Sequence, residues 1–262
     1  MDAAYFDVVR LAARTYAPDH YLAALLAPAA ARDDLITLAA ILGDVDRIIA
    51  TVSEPALAEI RLHWWNDTLA APRGTRSGNP LADALGEVIA RRQLPLSEFG
   101  GLLHARSHDL YADPTPSDDA LKVNLAAADG ASLRLAARCI DGADPLAPLI
   151  AAAGEAIGRA RLLSTYARFK ARGSNPFPQR SSATAPDLPA EIAFAHACLA
   201  DARRLWATAT RADRHACLPL SLVASYLVAV QRGGHDPAQM MAEIAPLTRV
   251  VRLWRAHMLG LV

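Results

Sequence analysis

Residues 36–69 read ITLAAILGDVDRIIATVSEPALAEIRLHWWNDTL, and their apolar positions recur at the spacing of a helix. We predict two helices in this stretch, over 33–51 and 54–70. The first of them carries two aspartates, Asp44 and Asp46, inside an apolar run. Most of what the sequence says about function depends on whether these acids form a metal site.

Helical spacing of apolar residues recurs along the whole 262-residue chain, and no strand-like alternation competes with it. Hydrophobic residues make up 53% of the sequence and aromatic residues only 6%, so small and aliphatic side chains dominate, which favours helices. The fold class is therefore predicted to be all-α. Outside 33–70 we predict further helices over 3–15, 19–27, 80–92, 96–112, 117–140, 146–171, 190–210, 214–231 and 236–258.

The segment SNPFPQRSSATAPDLP, residues 174–189, is the longest irregular stretch of the sequence. It is too rich in Pro and Ser to be helical, and it is either a boundary or a lid. The sequence contains no internal repeat and no shift in composition. We therefore predict a single domain over 1–262 that includes this irregular loop.

Positive and negative side chains balance, with 27 Lys and Arg against 27 Asp and Glu. The arginines are interleaved with acids rather than clustered, so no nucleic-acid partner is expected. The three cysteines are widely spaced in a chain without a secretory signal, which predicts reduced thiols and a cytoplasmic location. No segment reaches the roughly 20 apolar residues of a membrane span. A peripheral contact with the inner face of the cytoplasmic membrane stays compatible with this pattern.

The spacing of the two aspartates argues against a metal site. Enzymes that bind diphosphates through Mg²⁺ place carboxylates at i and i+4 of a helix, where both groups face one side. Asp44 and Asp46 stand at i and i+2, about 200° apart around the helix. The residues four positions on are Ile48 and Ala50, which offer no carboxylate. From the residues alone, we interpret one aspartate as solvated and the other as paired with Arg47.

Three blocks of the sequence, taken in order, resemble the squalene/phytoene synthase family. The first is 36–69, which is similar to the helix that ends in the family's aspartate-rich motif and to the Trp-centred helix after it. The second is HDLYADPTPSDDALKVNLAAADGASLRLAARCI, 108–140, and the third is AGEAIGRARLLSTYARFKARGSNPFP, 153–178. The form EPALAEIRLHWWNDTL, 54–69, is most similar to bacterial relatives of the mitochondrial complex I assembly-factor branch. The resemblance implies the isoprenoid synthase fold, a helical bundle around a central and largely apolar cavity.

Active members of this family bind Mg²⁺ and prenyl diphosphates through two aspartate motifs, and they join two diphosphates head to head. In the first motif, the resemblance places Asp46 on the leading aspartate, with Arg47 and Ala50 on two further acid positions. Gly43 takes the place of an arginine that helps to hold diphosphate in the active enzymes.

The second motif departs from the family in the same way. Its acid positions carry Thr165, Arg168 and Phe169, whereas Asp109 and Gly130 match the family. The resemblance therefore implies that this chain has lost most of the carboxylates that hold the metal.

Three hypotheses of function follow. The first is a non-catalytic protein that needs no cofactor or metal. The resemblance implies that such a protein is an assembly or accessory factor for a respiratory complex of the complex I type, or that it binds an isoprenoid or lipid-like ligand. The second is an active prenyl diphosphate synthase with an atypical Mg²⁺ site built from Asp44, Asp46 and Asp109. The third is a plain helical interaction module with a solid core.

These hypotheses single out three groups of residues. The surviving motif candidates are Asp46 and Asp109. The ligand-binding candidates carry a charge or an aromatic ring that suits the wall of a cavity. The arginines are included because a guanidinium binds phosphate without a metal. These candidates are Asp44, Arg47, Trp65, Arg161 and Arg168. The partner-face candidates lie on the helix 54–70 and are Glu54, Glu59 and Arg61.

Overall fold

The computed structural model describes residues 3–52, 54–72, 74–111, 115–178 and 186–262. Within these ranges the chain is built of helices, and no strand occurs in them, so the prediction of an all-α fold is confirmed. In chain order the α-helices are α1 Ala3–Tyr16, α2 Pro18–Leu25, α3 Ala29–Thr51, α4 Pro55–Ala70, α5 Pro80–Arg92, α6 Leu96–Ser107, α7 Asp118–Leu125, α8 Ala131–Cys139, α9 Pro148–Ser164, α10 Tyr166–Ala171, α11 Leu188–Thr208, α12 Arg211–Ala216, α13 Val223–Val230 and α14 Pro246–Leu259.

Two helices run through the interior and position most of the site. α3 packs against α1, α2, α5 and α8, while α9 packs against α11 and α13. Between Leu35 and Val45 nearly every side chain of α3 is buried. A helix that is covered on all sides needs apolar residues on all its faces, which explains the unbroken apolar run in this part of the sequence.

The predicted helix 117–140 is interrupted by one turn of π-helix, Ala126–Gly130, between α7 and α8. This turn meets α9 where two glycines leave no room for a side chain. A Cβ on Gly154 would lie 2.7 Å from the Gly130 Cα, and a Cβ on Gly158 would lie 2.7 Å from Asp129 Oδ2. The close approach holds Asp129 against α9, and π turns of this kind are frequent at functional sites.

Other predicted helices also have different limits in the structure. The helix predicted over 96–112 ends at Ser107, and the one predicted over 214–231 is broken by a 3₁₀ segment, Leu218–Leu222, between α12 and α13. The helix predicted over 146–171 divides at Thr165 into α9 and α10. The helix predicted over 236–258 begins only at Pro246, because the preceding segment crosses the end of α9 instead of coiling. The Ala242 amide there donates to the Ser164 carbonyl at 2.8 Å.

The irregular loop predicted over 174–189 lies partly outside the described residues, since 179–185 are not among them. Its role as a boundary or a lid stays a prediction. Among the helices that the structure describes, none combines the length and the apolar content needed to cross a bilayer.

Candidate functional site

A cavity of about 380 Å³ opens between α3, α6, α9, α13 and the segment 236–245. Its volume falls within the range of ligand pockets, about 300–1,000 Å³. Much of its wall is apolar and is formed by Leu42, Val45, Leu102, Ile157, Leu222 and Val223. A cavity of this size argues against the third hypothesis, a plain helical interaction module with a solid core.

One part of the cavity wall carries a chain of alternating arginine and aspartate side chains. Arg106 donates to Asp46, and through Nη1 to Asp109 Oδ2 at 2.6 Å. Arg161 donates to the same Asp109 oxygen at 3.1 Å, and through Nε and Nη2 to the two oxygens of Asp129 at 3.0 Å each. Each carboxylate of this chain, which we call the charge chain, therefore has at least one guanidinium partner.

The charge chain joins separate elements in the interior. Arg106 lies in the last turn of α6, and Asp109 follows at i+3 in the short 3₁₀ turn His108–Leu110, so this pair meets locally. The Asp109 side chain is 6% exposed and the Arg161 side chain 18%. Burial disfavours the charge of Arg161, but the neighbouring Asp129 and Asp109 outweigh burial and raise the pKa of the guanidinium above its ordinary value. Arg161 is therefore a structural cation whose charge is already matched.

Arg168 stands apart from the charge chain, although it lines the same cavity. None of the described carboxylates lies within ion-pair distance of it, and its Nη2 donates to the Met241 sulfur at 3.4 Å. Burial lowers the pKa of Arg168, and the positive charges of Arg172, Arg106 and Arg161 lower it further against the opposing effect of Asp46. A cation that neighbours other cations and has no ion pair with a described carboxylate is a natural binding point for an anion.

The cationic character extends into a smaller cleft beside the cavity. This cleft is lined by Arg168 and Arg172 together with members of the charge chain. Arg172 donates to the Ile49 carbonyl and, at 3.2 Å, to the Val52 carbonyl, so its guanidinium is held by the end of α3. Arg168 and Arg172 together form what we call the anion pole of the cavity.

Asp44, Arg47 and Trp65 lie together, but outside the cavity wall. Asp44 accepts from Arg47 Nη2 at 2.5 Å and from Trp65 Nε1 at 3.0 Å. Arg47 also covers the ring of Tyr16, at 5.4 Å from its centroid. Trp65 is 1% exposed and borders a narrow apolar crevice that adjoins the cavity at Leu42. Asp44 therefore has a structural role, and the two aspartates of 42–50 face different surroundings, as their i, i+2 spacing predicts.

The carboxylates proposed for an atypical Mg²⁺ site do not converge. Asp44 is bound to Trp65, whereas Asp46 and Asp109 are both bound to Arg106. In the part of the chain that the structure describes, no group of three or more acids, histidines or cysteines is arranged to hold a metal. Mg²⁺ needs several oxygen ligands, so this donor set does not fit it.

The backbone around Gly43 also differs from what a diphosphate-binding arginine requires. A Cβ on Gly43 would lie 2.7 Å from the Tyr16 Cβ and 2.9 Å from the Tyr16 carbonyl carbon. α1 and α3 approach each other at this glycine, so the position has no space for a side chain. The packing of α1 against α3 is thus incompatible with an arginine at position 43.

A second polar cluster in the cavity wall was not predicted from the sequence. Arg249 Nε donates to Asp19 Oδ1 at 2.7 Å, and the Tyr226 hydroxyl donates to Asp19 Oδ2 at 2.6 Å. Arg106 and Asp129 were also missed. Asp129 could have been identified from the sequence, because it precedes Gly130 in a block that resembles the family. The other residues named here come together only in the tertiary fold.

The three partner-face candidates, Glu54, Glu59 and Arg61, are exposed on and just before α4. Two large apolar side chains on this helix are exposed as well, Leu57 at 51% and Ile60 at 65%. The combination of exposed aliphatic and charged residues is compatible with a protein contact, and the partner role of this face stays a prediction.

The structural role of Asp44 gives a first testable prediction. Asp44→Ala leaves the buried Trp65 N–H without its acceptor, so we expect the free energy of unfolding to fall by about 1–3 kcal/mol. Asp44→Asn keeps an acceptor oxygen and should lose less than half as much. Urea unfolding followed by tryptophan fluorescence measures both. Equal losses for the two variants would show that the carboxylate charge, rather than the bond to Trp65, is what matters.

Comparisons with known proteins were made on sequence and on structure. The family model described as squalene/phytoene synthase matches residues 13–256. The crystal structure of squalene synthase HpnC from Alicyclobacillus acidocaldarius is similar with a TM-score of 0.66 and 21% identity, over 89% of this chain and 95% of that one. The crystal structure of a dehydrosqualene synthase in complex with ligand gives a TM-score of 0.76 and 14% identity, over 96% and 95%. At these identities the two structures show a shared fold. Comparison with curated proteins finds no matching sequence.

Proposed function

Because the chain belongs to the squalene/phytoene synthase family, we propose that it is a non-catalytic member that binds an amphiphilic, lipid-like anion in the family's cavity. The observation that carries this proposal is the charge chain. The two surviving motif acids, Asp46 and Asp109, are both bound to Arg106. Carboxylates that are neutralised by guanidinium groups are no longer available as ligands of a cation.

The absence of a fitting donor set bears directly on the family's reaction. Ionisation of an allylic diphosphate leaves two or more negative charges on the departing group, and closely placed cations must stabilise them in the transition state. Among the described residues, the cations of this site that are not already paired with a carboxylate are the arginines of the anion pole. Such a site holds an anion well but offers little that is specific to the transition state, so it supports binding rather than turnover.

The shape of the cavity supports a ligand with a charged head and an apolar body. The anion pole, at Arg168 and Arg172, receives the head group. The apolar wall along α3 and α9 receives the body. The adjoining crevice at Trp65 is nearly filled, with a free volume of about 10 Å³, so a long chain would have to displace side chains there. This limits the apolar body to what the main cavity holds.

The accessory role that the resemblance implies fits this proposal. A respiratory-complex subunit or assembly protein would contact the exposed face of α4, where Glu54, Glu59 and Arg61 stand beside Leu57 and Ile60. The same residues lie in the block 54–69 that carries the resemblance to the assembly-factor branch. The support for this partner is the resemblance together with the exposure of the face.

The deciding experiment is calorimetry of the purified protein with farnesyl diphosphate and geranylgeranyl diphosphate, in Mg²⁺ and in excess chelator. We expect binding that does not depend on Mg²⁺. We also expect inorganic pyrophosphate to compete for the head-group position. Tight binding that requires Mg²⁺, together with product formation that Asp46→Ala abolishes, would establish the alternative of an active head-to-head prenyl diphosphate synthase.

The same measurement tests the anion pole. Arg168→Gln removes a cavity arginine that has no ion pair with a described carboxylate, so we expect affinity for the diphosphates to fall about 10- to 100-fold, as the loss of one charge-assisted contact implies. Arg47→Gln is the matched control, because Arg47 is held by Asp44 outside the cavity. Equal affinities of Arg168→Gln and the unmodified protein would remove Arg168 from the site.

A further inference from the structure

The outer face of α14 carries an apolar stripe that is exposed to solvent. Leu247, Val250, Val251, Trp254 and Met258 stand at i, i+3, i+4, i+7 and i+11, the spacing of one helix face. They are 73%, 48%, 44%, 50% and 58% exposed. The opposite side of the helix is already used for packing, since Leu253 and Ala256 are buried. α14 is thus apolar on two faces, and only one of them is covered by the described residues of the chain.

Within α14 itself the charge has one sign, although the exposed Glu243 lies just before the helix. From Ile244 to Val262 the sequence contains no acidic residue, but it contains three arginines. Arg249 points inward to Asp19, whereas Arg255 is exposed and lies beside the stripe, about 80° around the helix from its centre. A helix with an exposed apolar face, a tryptophan and a flanking arginine has features of helices that lie in the interface of a bilayer.

We propose that α14 docks this protein on the surface of an anionic lipid bilayer, with the helix parallel to the membrane plane. Trp254 and its aliphatic neighbours enter the head-group region, while Arg255 reaches lipid phosphates through its long side chain. A second copy of the chain suits the face less well. A symmetric contact between two α14 helices brings the arginines of both copies together with no acid on either helix to match them.

The position of α14 relative to the cavity adds to this inference. Met241 and Glu243 line the cavity and are also exposed, so they mark its rim. They precede the first turn of α14 by only a few residues. The rim of the cavity and the stripe are therefore neighbours along the chain. The inference rests on the surface of α14 and not on the proposed ligand, so the two can fail separately.

The test is co-sedimentation with vesicles of phosphatidylcholine, with and without phosphatidylglycerol, at low ionic strength. We expect clear binding to the anionic vesicles and at least tenfold weaker binding to phosphatidylcholine alone. In a Trp64→Phe background, which removes the other exposed tryptophan, the emission of Trp254 should shift to shorter wavelength on binding. Absence of vesicle binding by the unmodified protein would overturn the proposal.

Variants on the surface of α14 separate the two contributions. Leu247→Ser with Val251→Ser should weaken vesicle binding at least tenfold, whereas Arg255→Gln should weaken it about fivefold, and only on anionic vesicles. Val123→Ser on α7, where the side chain is 70% exposed, is the matched control. Unchanged thermal melting shows that the variants fold. If the unmodified protein is a dimer that Leu247→Ser with Val251→Ser makes monomeric, and vesicle binding is the same for both proteins, the face is a contact between copies and the proposal is wrong.

Discussion

The Arg161→Met variant is expected to lose about 3–5 kcal/mol of unfolding free energy, because removal of one partner leaves buried carboxylates without their counter-charge. Arg161 supplies both hydrogen bonds that the structure gives to the Asp129 carboxylate, and it shares Asp109 with Arg106. Methionine fills a similar volume, so the loss reports on charge more than on packing. A loss of this size is a large part of the stability of an ordinary domain.

Chemical denaturation of the purified variant measures this loss, and a double variant keeps the test decisive. Adding Asp129→Asn removes the carboxylate that Arg161→Met leaves unmatched, so the double variant should be more stable than the single one by at least about 1 kcal/mol. Arg204→Met serves as the control, since Arg204 pairs with Asp201 on the surface and should lose less than about 1 kcal/mol. A loss below 1 kcal/mol for Arg161→Met would mean that the charge chain does not hold the interior together.

Restoring the family's arginine with Gly43→Arg should unfold the protein or cost more than about 3 kcal/mol. Even the Cβ would overlap the backbone of Tyr16, and a guanidinium would enter an interface between α1 and α3 that offers it no space. Gly43→Ala tests the overlap of the Cβ alone and should lower the free energy of unfolding by about 1–3 kcal/mol.

The matched control for this prediction is Gly86→Arg. Gly86 lies in the middle of α5, it is exposed, and a Cβ there meets nothing within 4 Å. Because glycine is a poor helix former, this substitution should be neutral or stabilise the protein by up to about 1 kcal/mol. Melting temperatures of the variants provide the comparison. A Gly43→Arg protein that melts like the unmodified one would show that the missing arginine was not excluded by packing.

The fold was predictable because its signal is local. The apolar positions of α3 and the block 54–69 indicate a buried helix followed by a Trp-centred one, and both are present. The family is confirmed, whereas its complex I assembly-factor branch stays a prediction. The π turn at Ala126–Gly130 could not be predicted, because it depends on two glycines of α9 that the sequence does not mark as its partners.

The site was predictable only in part. Asp46, Arg161 and Arg168 were identified because they lie in blocks that resemble the family, and all three line the cavity. Trp65 was a ligand-binding candidate, but its bond to Asp44 places it in the core, beside the crevice. The ion pair between Arg106 and Asp46 joins residues 60 positions apart, and the sequence contains no local pattern that indicates such a pair.

The two opposite sides of α14 have different surroundings. Arg249 faces inward and binds Asp19 in the cavity wall, while the stripe that includes Trp254 faces outward. If a ligand in the cavity and a bilayer on the stripe each shift this helix, the two equilibria are thermodynamically linked. In that case, if vesicles change the affinity for a cavity ligand by some factor, the ligand must change the affinity for vesicles by the same factor. A protein of this design would report the occupancy of its cavity as a change in its partition between water and membrane.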